Sequence, residues 1–282
     1  MSSSSLQPIL ALLGHPVAGN PTQYMLEKAF AHHEMDWRYL TLDVAPEALG
    51  DALRGMRAMG FTGGNCAEPH KQAVIPHLDR TTEAAGLIGG VNVIFREGDE
   101  LVGENTEGKA LVESLRGRIN PADARIVLLG AGRMARCVAV ELATAKVGEI
   151  VVVDRTESRA RELADLVAGK LQVAASPVGW DDSYRVPPET NVVINATSVS
   201  EQDAEAHLPI VLDTLAPPMI VADVTLDPPQ TWLLDEAAQR GCATLDGLEV
   251  FVRQAAVNFK LWTDVDPELT ILREAVEEFL EL

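Results

Sequence analysis

Along the first hundred residues, short apolar runs alternate with stretches of helical period. Pro8 to Leu13, Trp37 to Leu42 and Phe61 to Asn65 have the length and apolar content of strands. Between them, Tyr24 to His33 and Ala45 to Met59 repeat their apolar side chains three and four positions apart, which predicts helices. Val91 to Phe95 and Leu101 to Val102, joined through the turn residues of Arg96 to Glu100, predict a hairpin, and Thr106 to Leu115 predicts a linking helix. Asn120, Pro121 and Asp123 then mark a break.

Beyond Ala124 the texture changes to strand, glycine turn, helix, strand. Arg125 to Leu129 leads into GAGRMA at Gly130 to Ala135, a helix to about Ala145 and a strand at Glu149 to Asp154, which is a βαβ unit. Further strands are predicted at Val192 to Asn195, Met219 to Val224 and Ala243 to Asp246, and helices at Glu157 to Val167 and Thr231 to Arg240. Leu248 to Leu261 and Pro267 to Leu280 close the chain as helices apolar on one face. The expected fold class is α/β with two domains, a Rossmann dinucleotide-binding domain over 106–247 and a smaller α/β domain made of 1–105 and completed by 248–282. The run of serines at 2–5 is the one low-complexity tract.

Composition narrows the function classes. At 282 residues and 47% apolar the chain can bury a full core, and its formal charge of −19 argues against nucleic acid, whose non-specific affinity comes from Lys and Arg neutralising phosphates. No apolar stretch has the length of a membrane span, and MSSSSLQPIL lacks the basic segment and apolar core of a secretory signal, so a cytoplasmic location without membrane contact is expected. Cys66, Cys137 and Cys242 are odd in number, far apart and outside any C-x-x-C pattern, which suggests neither disulfides nor a metal site. Any anionic ligand must be drawn in by a local positive patch against the overall field.

The glycine turn supplies a place for such a patch. Gly130, Gly132 and Ala135 form G-x-G-x-x-A directly after a strand, and Asp154 ends the next strand at the expected distance. The glycines permit a tight turn and close approach of the backbone to a pyrophosphate, which the helix N-terminus then attracts, so Gly130, Ala131, Gly132, Arg133, Met134 and Ala135 are candidate cofactor residues. Asp154 suits the ribose hydroxyls of NAD, whereas Arg155, Thr156 and Arg159 suit the 2′-phosphate of NADP. Two guanidiniums and a hydroxyl against one carboxylate favour NADP slightly, and NAD stays open.

Several motifs in fixed order carry a resemblance. They are a G-x-P loop at Gly14 to Pro16, GFTGGNCAEPHK at 60–71, IGGVN at Ile88 to Asn92, GENTEG at Gly103 to Gly108, the fingerprint, the D-R-T edge at Asp154, INATS at Ile194 to Ser198 and QAAVNFKLW at Gln254 to Trp262. In this order they resemble the shikimate dehydrogenase family over nearly the whole chain. The resemblance implies an NAD(P)-dependent oxidoreductase that interconverts a ring ketone and its alcohol, 3-dehydroshikimate and shikimate or a related hydroxy acid such as quinate. It also implies a place in aromatic amino acid biosynthesis and a monomer or homodimer. Lys71 would be the catalytic lysine, with Glu107 in place of the family's aspartate; Asn65, Asn92 and Gln254 would bind substrate hydroxyls, and Thr197, Val224 and Gly247 would line the cofactor. The chemistry suits the residue types, because hydride reduction of a ketone leaves an alkoxide that an ammonium can stabilise and protonate.

The departures from the family pattern concentrate on the substrate side. Two serines that hold the substrate carboxylate in the family become Asn20 and Thr22, its N-V-T becomes Asn65, Cys66 and Ala67, its asparagine–threonine pair becomes Asn92 and Val93, and its tyrosine after Asp223 becomes Leu226. A site that has lost a polar partner discriminates against the original polar ligand, so the choice between the family's ordinary substrate and an altered one stays open. A catalytically degenerate dinucleotide-binding protein with a sensor or interaction role is the alternative, against which the retained Lys71, Asn92, Gln254 and an acid at 107 argue.

Overall fold

The computed structural model describes residues 6–181, 183–199 and 207–282. The serine run at 2–5 lies outside them. Two compact units are present, one formed by Met1–Thr106 with Gln254–Leu282 and the other by Glu107–Arg253.

The first unit runs β1 (Ile9–Gly14), α1 (Thr22–His32), β2 (Arg38–Asp43), α2 (Leu49–Ala58), β3 (Gly63–Cys66), α3 (His70–Ala73), β4 (Arg80–Thr81), α4 (Glu83–Ile88), β5 (Val93–Glu97) and β6 (Glu100–Glu104). Its mixed sheet has the order β2-β1-β3-β5-β6-β4, with β1 parallel to β2 and β3, and the β5–β6 hairpin antiparallel beside β3. Leu10 to Leu13 of β1 are all buried, as a central strand covered on both faces requires. The elements missing from the sequence pattern are short. α3 and β4 span only a few residues, too few to show a period, and α4 reveals itself only through its caps, with Thr82 Oγ1 accepting from Ala85 N at 3.2 Å and Gly89 left-handed at φ 75°.

The second unit opens on α5 (Glu107–Arg116) and continues through β7 (Arg125–Leu129), α6 (Arg133–Thr144), β8 (Glu149–Asp154), α7 (Glu157–Leu166), β9 (Ala174–Gly179), β10 (Val192–Asn195), β11 (Ile220–Asp223), α8 (Trp232–Gln239) and β12 (Ala243–Leu245). Its sheet is parallel throughout in the order β9-β8-β7-β10-β11-β12, the doubly wound order whose connections reverse between β7 and β10. Alternate residues of one strand feed opposite cores: Ile126 and Leu128 join Val138, Leu142 and Ile194, whereas Val127 and Leu129 join Val193, Val221 and Leu233. Strands buried on both faces become continuous apolar runs, and this explains why β7, β8 and β10 stand out in the sequence. The strand β9 does not, because AASPVG is interrupted by Pro177; an edge strand tolerates a residue with no N–H to donate.

The helix α9 (Gly247–Thr263) passes from the second unit into the first, so the second crossing of the chain falls inside a helix, and α10 (Leu269–Leu280) follows. Within the first unit, Phe259 of α9 stacks on Phe30 of α1 at 5.2 Å, Trp262 Nε1 donates to Ile94 O at 2.9 Å, and Phe279 of α10 meets Tyr24 at 6.0 Å. These aromatic contacts fasten the C-terminal segment to a sheet that the N-terminal residues build.

In the second unit α5 lies directly on α6. A Cβ on Gly108 would stand 2.1 Å from Cys137 O, backbone against backbone, so no rotamer change relieves the clash. Gly108→Ala is therefore expected to destabilise the chain by about 3 kcal/mol, the upper range of overpacking. Urea unfolding monitored by circular dichroism checks this, and a midpoint unchanged from wild type contradicts the packing.

Candidate functional site

In the first unit the candidate substrate residues sit where β1, β2 and β3 end. Three loops are tied together there: His15 N donates to Glu68 O at 3.0 Å, Val44 N to Gly14 O at 2.9 Å and Ala67 N to Leu13 O at 2.8 Å. His70, fully buried, opens α3 and donates from Nε2 to Val44 O at 2.7 Å, since a carbonyl can only accept; its Nδ1 is buried without a partner. Lys71 follows, with its own carbonyl accepting from Val91 N at 2.7 Å and its Nζ 3.9 Å from Glu68 Oε1. The backbone at Lys71 is thus pinned from both sides, so the lysine rides on a short helix that is not free to shift.

Beside it runs a ladder of buried polar side chains. Tyr39 OH donates to Asn65 Oδ1 at 2.7 Å, and Asn65 Nδ2 donates to Asn92 O at 2.9 Å. Asn92 Oδ1 accepts from Thr106 N at 2.8 Å, Asn92 Nδ2 donates to Thr106 Oγ1 at 3.1 Å, and Thr106 Oγ1 donates to Asn258 Oδ1 at 2.7 Å. The structure therefore brings Asn65 and Asn92 together. It also adds Tyr39, Thr106 and Asn258, which sequence reasoning missed. Asn258 left one signal: it follows Gln254 by four residues on α9, which places both on one helix face. Asn20 and Thr22 make a turn of their own, Thr22 N donating to Asn20 Oδ1 at 3.0 Å where α1 begins. Glu107 follows Thr106 as the first residue of α5 and is buried, with Cys137 Sγ donating to its Oε2 at 3.5 Å.

In the second unit the candidate cofactor residues converge on the switch point. Gly130, at φ 103°, leaves β7 with its N–H donating to Val153 O at 2.7 Å, and a Cβ there would meet Ala196 O at 2.9 Å. Only glycine fits a left-handed position against the loop that follows β10. Asp154 accepts from Ala131 N through Oδ2 at 2.7 Å and from Thr156 N through Oδ1 at 2.8 Å, while Arg159 Nη2 donates to Ala131 O at 3.3 Å. Gly132 precedes α6 and gives it no side-chain cap, and Arg133 and Met134 begin the helix while Ala135 packs into the core. Arg155, Thr156 and Arg159 are all exposed. On the other side of the switch point Thr197 donates to Asn195 Oδ1 at 2.8 Å, Val224 N donates to Asn195 O at 3.2 Å, and Gly247 lies buried at the start of α9. Beneath these loops the buried Asp223 accepts from Asn195 Nδ2, Thr231 Oγ1 and Thr225 N at 2.8 to 3.0 Å, a second network that the sequence pattern did not reveal.

These residues fit a nicotinamide dinucleotide. The tight glycine turn and the N-terminus of α6, left without a side-chain cap, form an anion site made of backbone, and guanidiniums stand at its edge. Among the described residues no group of His, Cys, Asp and Glu is placed to hold a metal ion, and no helix is long and apolar enough to cross a membrane.

Comparison with known proteins agrees with this geometry. Residues 12–94 match the model of the shikimate dehydrogenase substrate binding domain, residues 111–225 that of shikimate / quinate 5-dehydrogenase, and residues 247–277 that of the shikimate 5′-dehydrogenase C-terminal domain. A shikimate dehydrogenase (NADP(+)) of Moorella thermoacetica is 38% identical over 275 residues, covering 96% of this chain and 92% of its own. The chain belongs to the shikimate dehydrogenase family. It is an NAD(P)-dependent oxidoreductase of that family. Two solved structures are similar to it over nearly the whole chain. The ligand-free 5-ketofructose reductase of Gluconobacter sp. strain CHM43 superposes with a TM-score of 0.94 at 37% identity, covering 98% of this chain and 99% of its own. The shikimate 5-dehydrogenase of Listeria monocytogenes in complex with shikimate and NAD gives 0.89 at 26% identity, covering 98% of each.

The thiol of Cys66 lies beneath the Lys71 segment. Burial pushes it up to about 12, against the opposing pull of the Lys71 ammonium. A thiol ordinarily titrating near 9 that stays protonated in the folded chain lets only the unfolded chain ionise between these values, so its contribution lowers stability as pH rises through that window. Cys66→Ala is expected to flatten the alkaline loss of stability between pH 9 and 11, as read from urea midpoints. An identical slope in both proteins contradicts the assignment.

Proposed function

We propose that the chain interconverts a ring ketone and its alcohol on shikimate or a related hydroxy acid such as quinate, using NADP or NAD. The observation that carries this reading is the pinned Lys71 segment, joined through Val91 and Asn92 to the residue that precedes Glu107. The bound nicotinamide supplies or removes the hydride. Lys71 stabilises the alkoxide and delivers its proton, and Glu107 orients the ammonium. Asn65, Asn92 and Gln254 position the ring hydroxyls. Asn65 and Asn92 each use one amide proton in the ladder and keep a second for a ligand.

At the cofactor edge Gly130 to Ala135 hold the pyrophosphate, Thr197, Val224 and Gly247 line the nicotinamide side, and Arg155, Thr156 and Arg159 receive a 2′-phosphate. The two exposed guanidiniums of Arg155 and Arg159 against the single carboxylate of Asp154 support NADP as the preferred cofactor. The location proposed is the cytoplasm, supported by three buried thiols in place of disulfides, and the assembly proposed is a monomer or homodimer.

A second reading concerns the substrate alone. Asn20 and Thr22 stand where the family carries the serine pair that holds a carboxylate, and Ala67 brings no hydroxyl. Asn20 exchanges a hydroxyl for an amide of different reach, whose oxygen already accepts from Thr22 N, so the group facing a ligand there is changed. The structural match to a 5-ketofructose reductase favours a neutral polyhydroxy ketone as the substrate that goes with this change.

Purified enzyme is to be assayed at the nicotinamide absorbance with shikimate, quinate and, in the reducing direction, 3-dehydroshikimate and 5-ketofructose, each with both cofactors. Turnover of a hydroxy acid establishes the first reading, turnover of the ketose alone the second, and silence throughout with cofactor bound contradicts both. With whichever substrate turns over, Lys71→Ala is expected to lower kcat by roughly 10²- to 10⁴-fold, the scale of general acid catalysis, with an unchanged thermal midpoint. For the cofactor, Arg155→Ala is expected to raise KM for NADP about tenfold and to leave KM for NAD within about twofold, as loss of a charge-assisted phosphate contact requires. Equal changes for the two cofactors count against a 2′-phosphate contact.

A further inference from the structure

We propose that Cys137 is a positioning residue, whose thiol holds the carboxylate of Glu107 in the direction proton transfer needs; the inference rests on the reading above that Glu107 orients Lys71. Cys137 Sγ donates to Glu107 Oε2 at 3.5 Å, and both side chains are buried, at 2% and 9% exposure. A second, independent observation fixes this distance. The backbone of α5 rests on the backbone of α6 at this point, with room beside Cys137 O only for the bare Cα of Gly108, the residue next to Glu107. Thiol and carboxylate are therefore presented to each other by two helices that cannot slide apart without losing that contact.

The pairing answers the longer side chain at position 107. Glutamate carries its carboxylate on one more methylene than the family's aspartate, with one more torsion to restrain, and a carboxylate acting at a lysine must be held in a narrow range of direction. An S–H donor to an ionised oxygen is charge-assisted, and it fixes one oxygen and hence the plane of the group. Burial removes the thiol from competing chemistry in solvent.

The test measures kcat and KM on the full chain, with the substrate that the turnover assays establish. Cys137→Ala is expected to lower kcat by about fivefold, the scale of one net hydrogen bond, with KM unchanged and thermal unfolding close to wild type. Cys137→Ser, which keeps a donor, should restore kcat to within about twofold of wild type. In the Glu107→Asp background Cys137→Ala should cost nothing further, because the shorter carboxylate lies beyond the thiol; a packing role would cost the same in both backgrounds. Wild-type kcat in Cys137→Ala, failure of serine to restore it, or equal losses in the two backgrounds each overturn the proposal. Unchanged kcat in Glu107→Gln overturns the role of Glu107 itself and this inference with it, whereas loss there beside an unaffected Cys137→Ala overturns the positioning alone.

Discussion

A chain of hydrogen bonds that begins at Tyr39 on β2 and ends at Asn258 on α9 holds the substrate-side unit together, and the candidate chemistry hangs from it. Each link joins elements far apart in sequence: β2 to β3, β3 to the approach to β5, that approach to Thr106, and Thr106 to the C-terminal helix. Buried polar groups are costly unless every one of them is bonded, so the ladder is stable only as a whole. Its satisfied state selects one register for β3 and β5, one place for α9 and one position for the residue that precedes Glu107. Asn65 and Asn92 commit their side-chain oxygens to the ladder, accepting from Tyr39 OH and Thr106 N, and each amide donates one of its two N–H groups within it.

Most of the second unit was legible because its physics is local. Parallel strands covered on both faces are uninterrupted apolar runs, and the glycine turn between β7 and α6 answers a steric demand that Ala196 imposes at a single position. The edge strand β9 was not legible, since an edge accepts Pro177 and half-exposed residues that break the run. In the first unit the strands and long helices showed their periods, but Tyr39, Thr106 and Asn258 did not show their partners, which lie as far as 152 positions away. No period or spacing encodes that pairing. Cys137 was hidden in the same way: as one buried thiol on an apolar helix face it looks like filling until α5 brings Glu107 beside it.

The acidic edge at Asp154 has a structural task that its place at the end of β8 did not reveal. It caps two backbone N–H groups, one in the glycine turn and one ahead of α7. That arrangement stiffens the turn before any ligand arrives, and preorganisation of a backbone cradle lowers the ordering cost of binding. The carboxylate thus braces the turn, with an acceptor site left on each oxygen.

The same division of labour resolves the conflict between a chain of net charge −19 and an anionic cofactor. Many of the arginines of the second unit are already spent on carboxylates: Arg125 pairs with Glu149 and Glu189, Arg161 with Glu157, Arg118 with Glu249 and Arg240 with Glu236. Arg155 and Arg159 make no ion pair among the described residues, and Arg159 donates instead to a carbonyl of the glycine turn. Their two positive charges face one carboxylate, that of Asp154, at the edge of the glycine turn. Fields from distant acidic residues are screened within about 8 Å at physiological ionic strength, so it is this local excess, and not the net charge, that a phosphate meets on arrival.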